Sequence, residues 1–235
     1  MHKTVLLVFA HPDDEILGCG ATAAKLVKAG YDVSTLILGE GKTSRYSERD
    51  QAKDELQLLS SEIAAANRQI GITKIFTADF PDNKFDSVAL LDIVKKIEEI
   101  KQEIRPSLIF THHFGDMNVD HQQTYRAVLT ATRPMIDECV KEIYACEIPS
   151  STEWNYTPGC HFTPNVFVDV TETIELKVKA MSEYQSELRE WPHPRSLRHI
   201  KDLASLNGVN CGFHFAEAFS LVRDIGKFED AKKGL

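Results

Sequence analysis

The sequence of 235 residues has no apolar run near the roughly 20 residues that a helix needs to span a bilayer. It also lacks a signal-like hydrophobic stretch at its start, where residues 1–3 lead directly into a predicted strand. The five cysteines are odd in number and have no CxxC spacing, which favours reduced thiols over a disulfide framework. These absences predict a cytoplasmic protein without a membrane span.

Basic residues are outnumbered in this chain, with 27 Lys and Arg against 35 Asp and Glu, and the formal net charge is -8. Long-range attraction of polyanions is therefore disfavoured, and we predict no nucleic-acid partner. A local Arg or Lys pocket for a phosphate stays open. The hydrophobic content of 43% suffices for a core. We predict one domain over residues 1–235, with 149–235 as a substrate loop and C-terminal elaboration.

Short apolar runs alternate with amphipathic stretches along the chain. Strands are predicted at 4–10, 31–38, 74–78, 107–111, 142–148, 165–170 and 219–223, and helices at 16–29, 47–70, 88–104, 120–132 and 172–184. This alternation predicts an α/β fold, with a mostly parallel sheet flanked by helices. Gly18 and Gly20 lack the third glycine of a dinucleotide-binding fingerprint, so we expect them to allow close packing of helix on sheet.

Two polar clusters each follow a predicted strand. The first reads A-H-P-D-D-E at 10–15, and the second reads D-M-N-V-D-H at 116–121. The carboxyl ends of parallel strands face a crevice, so both clusters can contribute to one site. A metal bound by one His and one carboxylate still needs a third protein ligand, which the second cluster supplies. Acidic residues could also cap the first helix, but capping explains neither His11 nor His121.

Together the two clusters resemble the PIG-L/LmbE-like zinc deacetylases, which remove acetyl groups from N-acetylglucosamine units. The likeness continues through S-E-I-A-A-A-N-R-Q-I-G at 61–71, F-P-D-N-K-F-D at 80–86 and T-H-H-F-G-D-M-N-V-D-H at 111–121, over roughly the first two-thirds of the chain. Residues 182–186 and 191–196 are similar to a bacterial branch associated with surface-polysaccharide synthesis. The resemblance implies a Rossmann-like three-layer sandwich.

The resemblance also implies roles for four residues. His11, Asp14 and His121 bind one Zn²⁺ per chain, with iron or cobalt as substitutes, and Asp13 is the general base. Zinc polarises a carbonyl and lowers the pKa of its bound water. A carboxylate that is not a ligand can take that water's proton and later protonate the departing amine.

Asn118 marks a departure from the family, many members of which carry a second His at this position. An amide can donate a hydrogen bond to the oxyanion of the tetrahedral intermediate, but it cannot supply a proton. We therefore expect Asp13 to protonate the amine, with His112, His113 or His193 as helpers. His112 and His113 could equally do no more than hydrogen-bond the loop that follows a buried strand.

Further polar side chains are expected around the substrate. Asp120 is expected to orient a neighbouring imidazole. The planar fork of an Arg after the second strand suits a phosphate or carboxylate, and prolines on both sides of His193 favour one loop pose. In the loop 149–164, Trp154 or Tyr156 could stack on a sugar or anchor the loop. The predicted substrate contacts are Arg45, His113, Asp120, His193 and Arg195.

Three functions are compatible with these residues. The first is a zinc-dependent N-deacetylase acting on a nucleotide- or lipid-linked amino sugar of the GlcNAc type in polysaccharide biosynthesis. The second keeps the zinc site but cleaves another N-acyl small molecule. The third is a sugar-binding homologue without catalysis, against which the presence of Asp13 beside all three ligand positions argues. A homo-oligomer stays open.

Overall fold

A seven-stranded sheet runs through the described part of the chain, residues 4–42 and 53–225 of a computed structural model. Its strands are β1 (Thr4–Phe9), β2 (Asp32–Gly39), β3 (Lys74–Phe80), β4 (Leu108–His112), β5 (Glu142–Cys146), β6 (Val166–Asp169) and β7 (Ala216–Asp224). The α-helices are α1 (Asp14–Lys28), α2 (Lys53–Gln69), α3 (Leu90–Ile104), α4 (Val119–Ala131), α5 (Ile174–Glu183) and α6 (Leu197–Cys211).

The strands follow the order β3-β2-β1-β4-β5-β7-β6. The first five in this order are parallel, whereas β7 runs antiparallel to both of its neighbours. The chain builds outward from β1 to β3, and then returns to add β4 on the other side of β1. Such a switch point opens a crevice at the carboxyl ends of the two central strands. Both predicted polar clusters leave the sheet at this crevice.

Helices cover both faces of the sheet, as predicted for a three-layer α/β fold. Alternate residues of β1 point to opposite sides, so Leu7 and Phe9 pack with α1, α2 and α5, while Leu6 and Val8 pack with α3 and α4. All four side chains are fully buried. Burial on both faces explains why this strand is apolar without alternation.

Helix α1 is broken in its middle. Cys19 has φ -149° and ψ 18°, outside the helical region. The Leu17 carbonyl accepts a hydrogen bond from Lys177 Nζ at 2.7 Å, and the Ala21 N–H donates to Glu217 Oε1 at 3.2 Å. These are the two backbone groups that a regular helix would pair with each other. The buried side chains of Lys177 and Glu217 therefore replace one turn of helical hydrogen bonding.

The predicted elements are found in the described ranges, with ends shifted by a few residues, and two features differ. Helix α6 was not predicted, and β7 is longer than the predicted strand at 219–223. A Cβ at Gly18 would lie 3.0 Å from Cys146 Cβ, which confirms the predicted close packing of helix on sheet. Arg45 lies outside the described residues. None of the helices in the described ranges is long and apolar enough to cross a membrane.

Candidate metal centre and active-site cavity

Three side chains from the two polar clusters converge at the switch point. His11 Nδ1 lies 3.2 Å from His121 Nε2 and 3.5 Å from Asp14 Oδ2, and His121 Nε2 lies 3.2 Å from Asp14 Oδ2. Zinc ligands at about 2.0–2.1 Å in a tetrahedron are separated by about 3.3 Å. The donor atoms and their spacing fit a metal held by His11, Asp14 and His121.

A carboxylate contacts the second nitrogen of each of these histidines. Asp120 Oδ2 lies 2.9 Å from His11 Nε2, and Asp116 Oδ1 lies 3.1 Å from His121 Nδ1. Such partners fix the tautomer and orientation of a metal-binding imidazole. Asp120 contacts the imidazole of His11 and not that of the adjacent His121, and, although a substrate contact was expected, it is not among the residues that line the cavity. Asp116 had no role assigned from the sequence, although its position in the second cluster offered a signal.

Asp82 forms a second group of donors with His11 and Asp120. Its Oδ1 lies 3.4 Å from His11 Nε2, the same nitrogen that contacts Asp120. A metal bound to His11 Nε2 would replace the hydrogen bond between this nitrogen and Asp120, which orients the ring. The first group, which uses His11 Nδ1, is therefore the better candidate for a metal.

The charges at the centre favour a cation. Burial opposes protonation of His11, but hydrogen bonds to Asp120 and Asp14 raise its pKa well above its ordinary value. Burial likewise opposes protonation of His121, yet Asp14 and Asp116 raise its pKa to about 9. Despite burial, His121 and His11 hold the pKa of Asp14 well below its usual range. A divalent ion would take the place of the protons on the two imidazoles.

Asp13 lies beside the centre without belonging to the ligand group. It caps α1 in a left-handed conformation with φ 92°, which a non-glycine residue adopts only under tertiary constraint. Its Oδ2 lies 3.3 Å from Arg195 Nη1. Burial and the charge of Asp14 raise the pKa of Asp13, while Arg195 lowers it. A buried carboxylate with a raised pKa is suited to carrying a proton.

The buried carboxylate of Glu15 hydrogen-bonds to the backbone of the first polar cluster. Its Oε2 accepts from the Asp13 N–H at 3.1 Å, and its Oε1 accepts from Tyr184 Oη at 2.6 Å and Asn67 Nδ2 at 2.9 Å. Burial raises the pKa of Glu15 to about 7, against the lowering effect of the Tyr184 hydrogen bond. The sequence offered only helix capping for Glu15, because its partners lie on α2 and after α5.

Asn118 caps the amino terminus of α4 and lines the cavity beside the centre. Its Oδ1 accepts from the Asp120 N–H at 2.8 Å, and its Nδ2 donates to Asn83 Oδ1 at 3.0 Å. Because the carbonyl end is held by the cap, the amide N–H groups are turned away from the helix. The cap therefore presents Asn118 as a donor at the cavity wall.

Neither His112, the last residue of β4, nor His113 after it is among the side chains that line this cavity. His112 Nε2 accepts from the Ala10 N–H at 2.8 Å, and its ring stacks on His121 with centroids 3.8 Å apart. Burial and the charge of His121 lower the pKa of His112. His113 Nε2 lies 2.9 Å from the Cys160 carbonyl oxygen. The structure therefore gives both rings local structural partners.

The loop before α6 brings Arg195 into the cavity. Arg195 Nη1 lies 3.0 Å from Glu187 Oε2, and Glu187 also pairs with Lys42. The Arg195 N–H donates to His193 Nδ1 at 3.1 Å, so one loop presents both residues, as predicted. The principal side chains of the cavity wall are His11, Asp13, Asp14, Asn118, His121 and Arg195.

Comparison with known proteins identifies one matching family and several relatives. Residues 6–132 match the family described as PIG-L, GlcNAc-PI de-N-acetylase. The diacetylchitobiose deacetylase of Thermococcus kodakarensis is 26% identical over 95% of this chain and 84% of its own length.

Two solved structures are similar over nearly the whole chain. The N,N'-diacetylchitobiose deacetylase of Pyrococcus horikoshii has a TM-score of 0.75 at 20% identity, covering 97% of this chain and 88% of its own. The 4-carboxy-2-hydroxymuconate hydratase of Pseudomonas putida has a TM-score of 0.76 at 19% identity, covering 96% and 98%. At this identity the likeness shows the fold alone, which serves two different reactions.

Proposed function

Because the chain belongs to the PIG-L family, we propose that it is a metal-dependent hydrolase that removes the acetyl group from an N-acetylated amino sugar. One observation carries the proposal. Three donor atoms with the spacing of a metal site lie beside Asp13, a buried carboxylate that is not needed as a ligand. A site built only to hold an ion would have no use for that carboxylate.

We propose that His11, Asp14 and His121 hold the metal, and that it is Zn²⁺, with iron or cobalt as substitutes. When bound, such an ion polarises the acetyl carbonyl and lowers the pKa of water. Asp120 and Asp116 keep the two imidazoles turned toward the ion.

Three side chains of the protein carry out the remaining steps. Asp13 accepts a proton from the attacking water and delivers one to the amine as the C–N bond breaks, releasing acetate. Asn118 donates an N–H to the oxygen on which negative charge develops. Arg195 stabilises the ionised form of Asp13 through its contact at 3.3 Å. Asp13 alone can therefore serve as base and then as acid.

The substrate class comes from the relatives, among them a diacetylchitobiose deacetylase. We propose a GlcNAc-type sugar as the acetyl donor, with a nucleotide, lipid or sugar as its substituent. The alternatives are another N-acyl compound, and the hydration of a carbon–carbon double bond that the same fold supports in the hydratase.

The test is a mass-spectrometric screen of the zinc-loaded protein. GlcNAc, N,N'-diacetylchitobiose, UDP-GlcNAc and GlcNAc glycolipids are offered beside N-acyl amino acids and the unsaturated acid 4-carboxy-2-hydroxymuconate. We expect the loss of one acetyl group from an amino sugar, abolished by a chelator and restored by Zn²⁺. Cleavage of N-acyl amino acids alone would show that the substrate is an N-acyl amino acid and not an amino sugar. A gain of 18 mass units by an unsaturated acid, without any acetyl loss, would refute the deacetylase.

A further inference from the structure

An exposed tryptophan lies next to the cavity. Trp154 ends the short 3-10 helix Thr152–Trp154 and is 44% exposed. Single exposed apolar side chains are common on protein surfaces, so the surroundings of Trp154 decide whether it can bind a ligand. The chain's second tryptophan, Trp191, has the guanidinium of Arg198 at 4.2 Å from its ring centroid. Among the described residues, no cation stacks on the Trp154 ring, and the aromatic ring that it contacts is that of His193.

The position of Trp154 is tied to the metal centre. Ser150 and Ser151, just before the helix, line the cavity. The hydroxyls of Ser151 and Thr152 donate to Asp116, from Thr152 at 2.5 Å. Asp116 is the carboxylate that contacts His121. The segment that carries Trp154 is therefore joined to the metal centre by hydrogen bonds to Asp116.

His193 lies two residues before Arg195, which lines the cavity. Its ring meets Trp154 edge to face, with centroids 6.0 Å apart. Burial and the charge of Arg195 lower the pKa of His193. The loop that carries it also delivers Arg195 to Asp13. The two segments that place Ser151 and Arg195 in the cavity wall thus also carry a pair of aromatic rings that contact each other.

The charge of the cavity selects among possible ligands for this pair. In the described wall, both cations are already paired, Lys42 with Glu187 and Arg195 with Glu187 and Asp13. Asp82 and Asp14 add further negative charge to the same wall. Apart from the metal, the described wall therefore offers no unpaired cation to a diphosphate, and it suits an uncharged substituent.

From these observations we propose that Trp154 and His193 form a subsite for a neutral ring, such as a second sugar, linked to the N-acetylated sugar. The apolar face of a pyranose would pack on the indole, as aromatic rings pack on other apolar surfaces. The proposal rests on the proposed function, because it places the N-acetyl group at the metal centre. It adds that the protein discriminates between a disaccharide and a single sugar.

Binding is tested first, without turnover. The chain has two tryptophans, so Trp191→Phe leaves Trp154 as the sole indole reporter. In an Asp13→Asn background, we expect N,N'-diacetylchitobiose to change the Trp154 fluorescence and GlcNAc to do so only at about 3- to 10-fold higher concentration. The matched Trp154→Phe protein reports from Trp191 and should show no change. A disaccharide response from Trp191 alone would overturn the subsite.

Kinetics then separate the subsite from the reaction. Trp154→Ala should raise KM for the disaccharide about 3- to 10-fold with kcat unchanged, and leave GlcNAc kinetics unaltered. Trp191→Ala is the control and should match the wild type. Equal effects of Trp154→Ala on both sugars, or a preference for UDP-GlcNAc over the disaccharide, would overturn the subsite. Absence of turnover for every sugar would refute the proposed function, while the fluorescence titration still decides the subsite.

Discussion

Nζ of Lys177 lies 2.6 Å from Oε1 of Glu217, and this buried ion pair fills the break in α1. Each partner also satisfies backbone groups that the break leaves open. Lys177 serves the Leu17 carbonyl, and Glu217 serves the N–H groups of Ala21 and Thr22. The pair therefore joins α5 and β7 to the helix that follows the metal motif.

Lys177→Met should lower the free energy of unfolding by about 3–5 kcal/mol, because it leaves a buried carboxylate without its partner. Adding Glu217→Gln removes that charge and keeps an oxygen for the Ala21 N–H. The double variant should therefore be more stable than Lys177→Met alone. Urea unfolding followed by circular dichroism measures both. If the double variant loses the sum of the unfolding free energies that Lys177→Met and Glu217→Gln lose separately, the pair is not coupled.

Asp13→Asn should retain about one metal per chain and lose turnover by roughly 100- to 10,000-fold, because it removes the proton carrier and leaves the three ligands. Elemental analysis and an acetate-release assay measure the two effects on the same sample. A loss of metal that parallels the loss of activity would make Asp13 a ligand and reverse its assignment with Asp14.

Asp120→Asn should weaken metal affinity about 10- to 100-fold, because an amide cannot meet all the donors that this carboxylate serves. Besides His11, Asp120 accepts from the N–H groups of Asn83 and Phe85 at 2.7 and 2.9 Å. Competition with a chromogenic chelator gives the affinity. Asp92→Asn on the exposed surface of α3 is the matched control and should bind metal as the wild type does. Equal affinities in the two variants would contradict the role of Asp120.

Asn118→Ala should lower kcat by roughly 10- to 1,000-fold with little change in KM, because the oxyanion contact forms mainly in the transition state. It should also cost about 1 kcal/mol of stability through loss of the helix cap. Asn118→Ser separates the two effects, since it keeps a capping oxygen without the amide donor. We expect Ser to restore stability and leave kcat low. Wild-type kcat in the Ala variant would exclude the donor role.

Glu147 gives the protein a pH-dependent stability outside the metal centre. Burial, reinforced by Glu153, raises its pKa from 4.5 to about 7. Between these values the folded protein holds a proton that the unfolded chain releases, so stability is complete below about pH 4.5 and falls as the pH rises toward 7. The loss should amount to roughly 2 kcal/mol between pH 5 and 7.

Glu147→Gln should remove its own share of this fall and leave that of Glu15, whose pKa is also raised to about 7, and the difference from the wild type is read from urea unfolding at pH 5, 6 and 7. Glu99→Gln, at a side chain that is 65% exposed, controls for a change of charge alone. If the unfolding free energies of the wild type and Glu147→Gln change in parallel from pH 5 to 7, this carboxyl does not titrate across the range.

The order of strands and helices predicted that the two polar clusters meet, whereas the choice of His11, Asp14 and His121 as ligands followed from the resemblance to the family. His11 and His121 are 110 residues apart, yet the alternation of strands and helices was enough to place them together. The same logic could not pair Asp120 with His11, since that contact depends on the pose of an imidazole within the crevice. The sequence pattern could not place Arg195 beside Asp13, which is 182 residues away, because a loop has no periodic pattern of apolar residues from which its position can be predicted.

The course of the chain after β5 was less predictable. Helix α6 has apolar residues at Leu197, Ile200 and Ala204, a capping Ser196 and a terminal Gly212, so a signal was present. The insertion of β7 between β5 and β6 leaves no such trace, because register and direction depend on pairing with distant strands. The break in α1 is hidden for the same reason, since its partners lie on α5 and β7.

The hydrogen bond from Tyr184 to Glu15 limits which segments can be exchanged between this protein and its relatives. Residues 6–132 contain the ligand group, whereas Trp154 and His193 follow it in the chain. A graft of residues 149–225 from a relative should therefore change substrate choice, provided that it supplies partners for Asp13 and Asp116 like those that Arg195, Ser151 and Thr152 supply here. The graft must bring a hydroxyl equivalent to Tyr184, because Glu15 would otherwise lose a partner beneath Asp13. New selectivity can evolve in the second half of this chain only within that constraint.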